Sequence, residues 1–326
     1  MSRLARLLFL LFGISLLAVI ITRVDLATVA MYMREMGWAF PLIFLPYIVV
    51  YLCDTLGWKF AFGPSATIRF HTLFVTRMAG ESINNLTPFA YLGGEPVKAH
   101  LLTRFNIPMV EGMAAAIMAK LLMSLAQFAF VVLGGILAMS HLVTRPDILW
   151  TLVVVVLAAG AVLGGLIRGL QIGLFTQIYR LLDGWNLTPS VMERWRDHLR
   201  HLDETIVQFY RRHPRYLALS LLSHLLGWVI GSLEVLALFY AVDLPIRLSE
   251  ALAIEALASV AKGVAFFIPG SLGVQDGGNM LLIALFGFPP SLGLTFSLVR
   301  RMRELMWISM GLLVLLRHYG WHSQLA

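Results

Sequence analysis

Long apolar runs constrain this chain more than any other feature of its sequence. An α-helix needs about 20 apolar residues to cross the hydrocarbon core of a membrane. Of all residues, 59% are apolar and only 13% are charged, whereas roughly one quarter of a soluble domain is charged. The sequence therefore predicts an all-α, polytopic membrane helix bundle. The six runs long enough to be full spans are 4–22, 38–62, 111–139, 148–168, 215–240 and 291–317.

Two more hydrophobic regions, 70–106 and 250–289, are interrupted by residues that break helices. The first is broken at 84–88 and again at Gly93-Gly94, and the second at 269–273 and again at Gly277-Gly278. Since lipid cannot hydrogen-bond an open backbone, protein or water has to surround each break. We expect each region to be a re-entrant hairpin that enters and leaves on one side of the membrane, or a pair of short helices.

Basic residues favour one orientation of these segments. The formal net charge is +7, and excess Lys and Arg usually lie on the cytoplasmic side of a membrane. If both broken regions are re-entrant, Lys98, Arg104 and the arginines between 168 and 215 face the cytoplasm. We therefore expect a multi-pass protein of a bacterial-type inner (cytoplasmic) membrane, with both termini in the cytoplasm.

The two broken regions are similar to each other. The segments 88–95 and 269–276 each place a carboxylate seven residues after a proline, with glycines between them. On the topology above they enter from opposite sides, as the inverted repeats of many transporters do. Two Gly/Pro turns can also be alike by chance. If the repeat is real, the hinge residues are Pro88, Gly93, Gly94, Pro269, Gly270 and Gly273.

We expect one integral membrane domain over 1–326, with a first half at 1–168 and a second half at 215–326. Between them, 169–214 is the one extended polar segment. Its apolar residues recur at spacings of three and four, which predicts an amphipathic helix at the cytoplasmic interface. This connector either joins the halves or offers a site to a regulatory partner. The apolar residues are Val191, Trp195, Leu199, Leu202, Ile206 and Phe209.

Charged and polar side chains within the hydrophobic regions form the candidate site. Each charged residue at a helix centre costs about 2.5–3.5 kcal/mol on insertion scales, so ion pairs or a water-filled cavity must compensate. The basic residues predicted to hold a headgroup are Arg77, Lys262, Arg300, Arg301 and Arg303. The residues predicted to line a polar cavity or to couple transport to ions are Glu81, Asn84, Asn85, Glu95, Gln275, Asp276 and Glu304.

Structural roles stay open for several of these residues. Arg77 and Glu81 are four residues apart and could form an ion pair with each other. Glu95 could be a capping acid that stabilises the start of a helix. Lys262 needs a partner, which Asp276, Glu255 or a lipid phosphate could supply.

Motifs of soluble enzymes are largely missing. The sequence has no Gly-rich nucleotide-binding loop, no HExxH set and no Ser-centred nucleophile elbow. Cys53 is the only cysteine, which excludes an internal disulfide and a cysteine metal cluster. We expect no cofactor, no metal, no nucleic-acid partner and no enzymatic activity. Without an ATP site, a transporter would use an ion gradient, a proton gradient or the gradient of the lipid itself.

The broken regions also carry a family resemblance. Arg77, Gly80, Asn84-Asn85, Pro88 and the GGEP of 93–96, with the IPGSLGVQDG of 268–277, resemble the transmembrane flippase-like domain shared with lysylphosphatidylglycerol synthases. The resemblance covers nearly the whole chain, and it implies a domain that moves a lipid across the membrane. The pair Gln275-Asp276, where many relatives have a glutamate, is similar to a branch found with hopanoid-lipid biosynthesis.

The resemblance separates two activities. In the two-part synthases, a soluble C-terminal domain makes the aminoacylated lipid from aminoacyl-tRNA. This chain stops at Ala326, right after the last predicted span. We therefore expect the flippase-like half alone, without aminoacyl transfer or tRNA binding.

The sequence thus predicts a lipid translocase that moves a lipid with a phosphate or other polar headgroup between leaflets. Two alternatives stay open. The first is a membrane-embedded lipid-modifying enzyme that uses Glu95 or Asp276 as an acid or base. The second is a scaffold that recruits enzymes of lipid (hopanoid-type) biosynthesis through the connector. Membrane lipid is the expected partner in each case.

Overall fold

The computed structural model describes residues 26–64, 68–86, 93–142, 146–185, 196–264, 271 and 273–318. Twelve α-helices and two short 3-10 segments, with no strand, make up this part of the chain. The helices are α1 Leu26–Glu35, α2 Leu45–Ala61, α3 Phe70–Leu86, α4 Gly94–Leu102, α5 Met109–His141, α6 Pro146–Ile172, α7 Leu174–Gly184, α8 Arg196–Arg212, α9 Pro214–Ala241, α10 Leu248–Val264, α11 Val274–Leu285 and α12 Pro290–His318. The predicted all-α bundle is confirmed.

Four helical stretches in this part of the chain are long and apolar enough to cross a membrane: Gly37–Ala61, Met109–His141, Ile148–Gly169 and Pro214–Ala241. Each coincides with a predicted span. The predicted span 291–317 is α12, a helix of 29 residues that is less apolar because charged residues lie near its middle. The predicted span 4–22 lies outside the described residues.

Each interrupted region consists of two helices that pack against each other. The first contains α3 and α4, and the second contains α10 and α11. The expected pairs of short helices are therefore present, while the side from which each pair enters a membrane stays a prediction. The predicted break at Gly277-Gly278 is wrong, because both glycines lie inside α11. Three predicted hinge residues lie outside the described part of the chain: Pro88, Pro269 and Gly270.

The same turn follows α4 and α11. A residue in the left-handed region occupies each turn, Asn106 (φ 60°) in the first and Gly287 (φ 87°) in the second. Its amide donates to the carbonyl three residues earlier, and the next amide donates to the carbonyl five residues before itself. Pro108 and Pro289 then precede the next helix. Each position in the first turn has its equivalent 181 residues later, as with 106 and 287. The backbone therefore contains an internal repeat.

The two copies of the repeat are packed against each other in opposite directions. The helix that precedes each broken region is α2 in the first half and α9 in the second. Along their contact, Phe60 meets Tyr216 at 6.3 Å between ring centroids, while Gly57 accepts a hydrogen bond of 2.8 Å from Ser220. Asp54, about one turn earlier on α2, contacts His224, about one turn later on α9. Numbers fall along α2 as they rise along α9, so the two helices are antiparallel.

Two contacts between the halves also correspond to each other under the repeat. The first helix of one broken region packs against the long helix that follows the other broken region: α3 contacts α12, and α10 contacts α5. Together with the antiparallel α2 and α9, this is the packing of an inverted repeat. The division at 168 and 215 stays a prediction, because the packing does not mark a boundary between domains.

Two helices, α7 and α8, lie within the described residues of the connector. Asp203 of α8 is buried, and its carboxylate accepts hydrogen bonds from the amides of Phe175 (3.0 Å) and Thr176 (2.6 Å) at the start of α7. Of the predicted apolar face, Ile206 is 2% exposed and packs in the same core as Phe209. Val191 and Trp195 lie outside the described residues. An amphipathic α8 is therefore present, and its place at a membrane surface stays a prediction.

Candidate functional site

A cavity of about 320 Å³ lies between the two halves of the bundle, and we call it the central cavity. Its walls come from α2, α3, α5, α9, α10, α11 and α12. Two tyrosines of α2, Tyr47 and Tyr51, form part of the wall. The predicted site residues that line it are Arg77, Glu81, Asn85, Lys262, Gln275, Arg300 and Arg303. Residues from both broken regions and from α12 therefore meet at one place.

Arg77 reaches across from α3 to an aspartate on α2. Its guanidinium donates a hydrogen bond of 2.9 Å to Asp54 Oδ2, whereas Glu81 lies 4.0 Å away. The other oxygen of Asp54 lies 2.8 Å from His224 Nδ1 of α9. All three of Asp54, Arg77 and His224 are buried. The simple Arg77–Glu81 pair is thus the weaker contact, because Asp54 is closer and shared by both halves.

Lys98 corrects one expectation from the sequence. We expected it to face the cytoplasm, but it is 4% exposed and lies inside the bundle. Its ammonium donates to Glu81 at 2.6 Å and to Glu95 at 3.1 and 3.2 Å. Gly80 makes this possible, since a Cβ there would overlap the Lys98 side chain. The physical reason is that the attraction between the lysine and two carboxylates inside the bundle offsets the cost of removing its charge from water.

Asn84 closes the junction between α3 and α4. Its amide oxygen accepts a hydrogen bond of 2.6 Å from the Gly94 backbone, and its amide nitrogen donates to Glu95 at 3.3 Å. A Cβ at Gly94 would overlap the Gly80 carbonyl, so the two helices touch through their backbones here. Glu95 lies in the first turn of α4, which agrees with the capping alternative, and it also joins the buried ion pairs. No observation tests whether Gly93 and Gly94 act as hinges.

A second set of charges lies around α12. Arg303 is paired with Glu234 of α9, and Arg300 is paired with Glu255 of α10. Arg303 also stands 3.7 Å from the centre of the Tyr47 ring. Each of the four charged residues is at most 8% exposed. Because an unpaired buried charge costs several kcal/mol, these contacts explain how four charges persist in this part of the bundle.

The remaining charges of this set link α10, α11 and α12. Lys262 donates to Glu304 at 2.8 Å, an acid that was not named among the expected partners. Arg301 donates to Asp276 at 3.2 Å. Asp276 also accepts a hydrogen bond of 2.9 Å from the amide of Gly273 and thereby caps α11. Arg301, Asp276 and Glu304 stand behind the wall of the central cavity and are not among its lining residues.

Four site residues were missed from the sequence: Asp54, Lys98, His224 and Glu234. Glu255 was expected only as a partner of Lys262, and it pairs with Arg300 instead. Three of the four missed residues were detectable in principle, because Asp54, His224 and Glu234 are charged or titratable residues well inside apolar spans. Their partners were not detectable, because each pair joins segments far apart in the chain.

The chemistry of the central cavity is that of a polar site in an apolar bundle. Arginine offers a planar fork of donors that matches a phosphate or carboxylate, and lysine offers a compact positive charge. In the part of the chain that the structure describes, each cation that lines the cavity already contacts a carboxylate: Arg77, Lys120, Lys262, Arg300 and Arg303. An anionic ligand would therefore exchange with these carboxylates and would not meet isolated charges.

Comparisons with known proteins agree with the fold and the apolar surface. The family model described as "Lysylphosphatidylglycerol synthase TM region" matches residues 4–312. A "UPF0104 membrane protein" of Methanothermobacter thermautotrophicus is 25% identical over 280 residues, which cover 82% of this chain and 81% of that protein. No solved structure matches. Since the family model spans nearly the whole chain, the protein belongs to the family of the lysylphosphatidylglycerol synthase TM region, a family of membrane-embedded proteins.

Proposed function

We propose that this protein moves the polar headgroup of a membrane lipid from one leaflet to the other through the central cavity. The observation that carries the proposal is the cavity itself, which is lined by Arg77, Lys262, Arg300 and Arg303 and lies between two inverted halves. A headgroup cannot cross hydrocarbon alone, because a charge at the bilayer centre costs several kcal/mol. A polar cavity between apolar helices removes that barrier.

The surroundings favour a lipid over a water-soluble substrate. The helix α6 is largely exposed along its apolar length, with Val154 63% and Leu157 67% exposed, as expected for a surface that faces acyl chains. The cavity is large enough for a small headgroup and too small for a complete lipid, whose chains would stay outside. The family model is named after a synthase of a phospholipid, which also supports a lipid-related role.

The lining cations and two of the predicted acids have a place in this scheme. The lining arginines and Lys262 would hold the phosphate or another anionic group of the lipid. Glu95 and Asp276 stand one layer behind, each paired with a cation of the following helix, and would couple the conformation of α4 or α11 to ions or protons. The inverted halves would open the cavity first to one side and then to the other.

Location and partners follow from the same scheme. The protein would lie in the inner (cytoplasmic) membrane with both termini in the cytoplasm, since this orientation places most basic loops inside. Its partner would be a membrane lipid, and no enzymatic step is required. Hopanoid-type lipids are one candidate class of substrate.

Transport is measured in proteoliposomes that contain a fluorescent phospholipid, with dithionite used to quench the outer leaflet. The wild type should speed exchange between leaflets, and Arg300→Gln and Glu95→Gln should slow it. The matched control is Arg247→Gln, because Arg247 is 75% exposed and forms an ion pair with Glu250 away from the cavity. Equal exchange in wild type, Glu95→Gln and protein-free vesicles, for every headgroup tried, would overturn the proposal.

Mass spectrometry of the same vesicles separates transport from the enzymatic alternative. Relocated but unchanged lipid agrees with translocation. Covalently altered lipid would favour a lipid-modifying enzyme instead.

A further inference from the structure

One buried histidine has no part in the transport scheme above. His224 of α9 is 1% exposed and lies where α9 packs against α2. Its Nδ1 is 2.8 Å from Asp54 Oδ1. A carboxylate can only accept a hydrogen bond, so Nδ1 carries a proton and donates it. In the neutral ring, Nε2 is then the nitrogen with a free lone pair.

The Nε2 atom of His224 is placed to receive a second proton. It is buried and makes no hydrogen bond within the described residues. It lies above Gly57, where a Cβ would come within 2.6 Å of it. His224 also lines a cavity of about 10 Å³ together with Trp58 and five charged residues: Arg77, Glu81, Glu95, Lys98 and Lys120. That volume is about the size needed for a single water molecule.

Asp54 connects this nitrogen to the central cavity. One carboxylate oxygen faces His224 and the other accepts from Arg77 at 2.9 Å. Arg77 in turn lines the central cavity. When His224 is neutral, Arg77 is the only full positive charge that Asp54 contacts among the described residues. When His224 is charged, Asp54 has a second cation, and Arg77 can leave it at a lower cost.

We propose that His224 is a proton site of this protein, and that a proton on its Nε2 releases Arg77 to bind the phosphate of a lipid headgroup. The inference rests on the proposed function and adds its coupling to protons. Linkage makes the effect reciprocal: if the proton strengthens phosphate binding, phosphate binding strengthens proton binding by the same factor. Each cycle would take one proton from water on one side and return it to water on the other.

The charges around His224 favour this role. Asp54 faces His224 from α2. Five more charged groups line the small cavity beside His224: Arg77 and Glu81 on α3, Glu95 and Lys98 on α4, and Lys120 on α5. These six groups comprise three acids and three bases, so their charges cancel. A proton on His224 therefore makes the cluster net positive, which attracts an anion.

The first test uses the wild-type protein. Dioctanoyl phosphatidylglycerol is added to purified protein in detergent at about pH 6.5 with little buffer, and a pH dye follows proton uptake. We expect uptake on binding of this phosphate lipid and none with dioctanoylglycerol, which lacks the phosphate. Binding of the phosphate lipid without proton uptake at any pH between about 5.5 and 7.5 would overturn the inference.

The second test compares two histidines. In the wild type, the apparent affinity for the phosphate lipid should fall by up to about tenfold per pH unit as His224 loses its proton. His224→Gln should remove this dependence. The matched control is His141→Gln, because His141 contacts Ser249 and Glu250 and does not line either cavity. An unchanged pH dependence in His224→Gln would count against the inference, and loss of it in both variants would do the same.

The two proposals fail in different ways. If the phosphate lipid binds and moves at the same rate at every pH, the proton site is wrong and the proposed function stands. If no headgroup lipid binds or moves at any pH, the proposed function is wrong and the proton site falls with it.

Discussion

Glu95 and Asp276 occupy corresponding positions in the two halves, and each contacts a cation on the helix that follows. Glu95 lies 3.8 Å from Lys120, and Asp276 lies 3.2 Å from Arg301. Both the acids and the cations correspond at a separation of 181 residues (95 and 276, 120 and 301). Each ion pair joins the short second helix of a broken region to the next long helix, so the repeat includes a charged contact as well as a turn.

This symmetry predicts opposite effects on access to the cavity. If each ion pair helps to close one side of the bundle, Lys120→Gln should open the cavity to one side of the membrane and Arg301→Gln to the other. Ser124 lines the cavity and can be changed to cysteine in a Cys53→Ala background. Labelling by an impermeant maleimide, added from inside or from outside, then reports access.

The sidedness of labelling decides this prediction. An increase on the same side in both variants would show that the two ion pairs are not gates of an inverted repeat. Arg247→Gln serves as the control again, since it removes an exposed charge and should leave labelling unchanged.

Gly94→Ala should destabilise the junction of α3 and α4. A Cβ at this position would overlap the Gly80 carbonyl, which is backbone and cannot rotate away. Overpacking of this kind costs about 1–3 kcal/mol. Gly160→Ala on α6 is the matched control, because its Cβ would meet nothing within 4 Å and alanine favours a helix. Unfolding in detergent measures both, and equal stability of the two variants would contradict the prediction.

The parts of the site that could be predicted are those marked by a pattern within one short stretch of sequence. A proline, a pair of glycines and a carboxylate within eight residues indicated both broken regions, and the positions of Arg77, Lys262, Arg300 and Arg303 at one cavity agree with that expectation. The partners were not predictable, because the sequence does not record which buried acid reaches which base. Lys98 illustrates the limit, since a lysine after a Gly-Pro turn is typical of a surface loop.

The pair Glu234 and Arg303 should show strong coupling in a double-mutant cycle. Both side chains are buried, so removing one partner leaves an unbalanced charge at a cost of about 3–5 kcal/mol. We therefore expect Glu234→Leu and Arg303→Met each to lower stability strongly, and the double variant to be more stable than the sum of the two losses predicts. Thermal unfolding in detergent gives the three values. Simple additivity would show that the two charges do not stabilise each other.

The last prediction compares equivalent glycines of the two halves. Gly112 and Gly293 correspond at the same separation of 181 residues (112 and 293), and each lies where a long helix touches the short helix before it. A Cβ on Gly112 would stand 3.2 Å from the Ala99 Cα, but one on Gly293 would stand 2.5 Å from the Met280 Cα. Backbone must shift in the second case, whereas a few tenths of an ångström suffice in the first. Gly293→Ala should therefore lower the unfolding temperature more than Gly112→Ala, and the reverse order would contradict the closer approach of the two helices at Gly293.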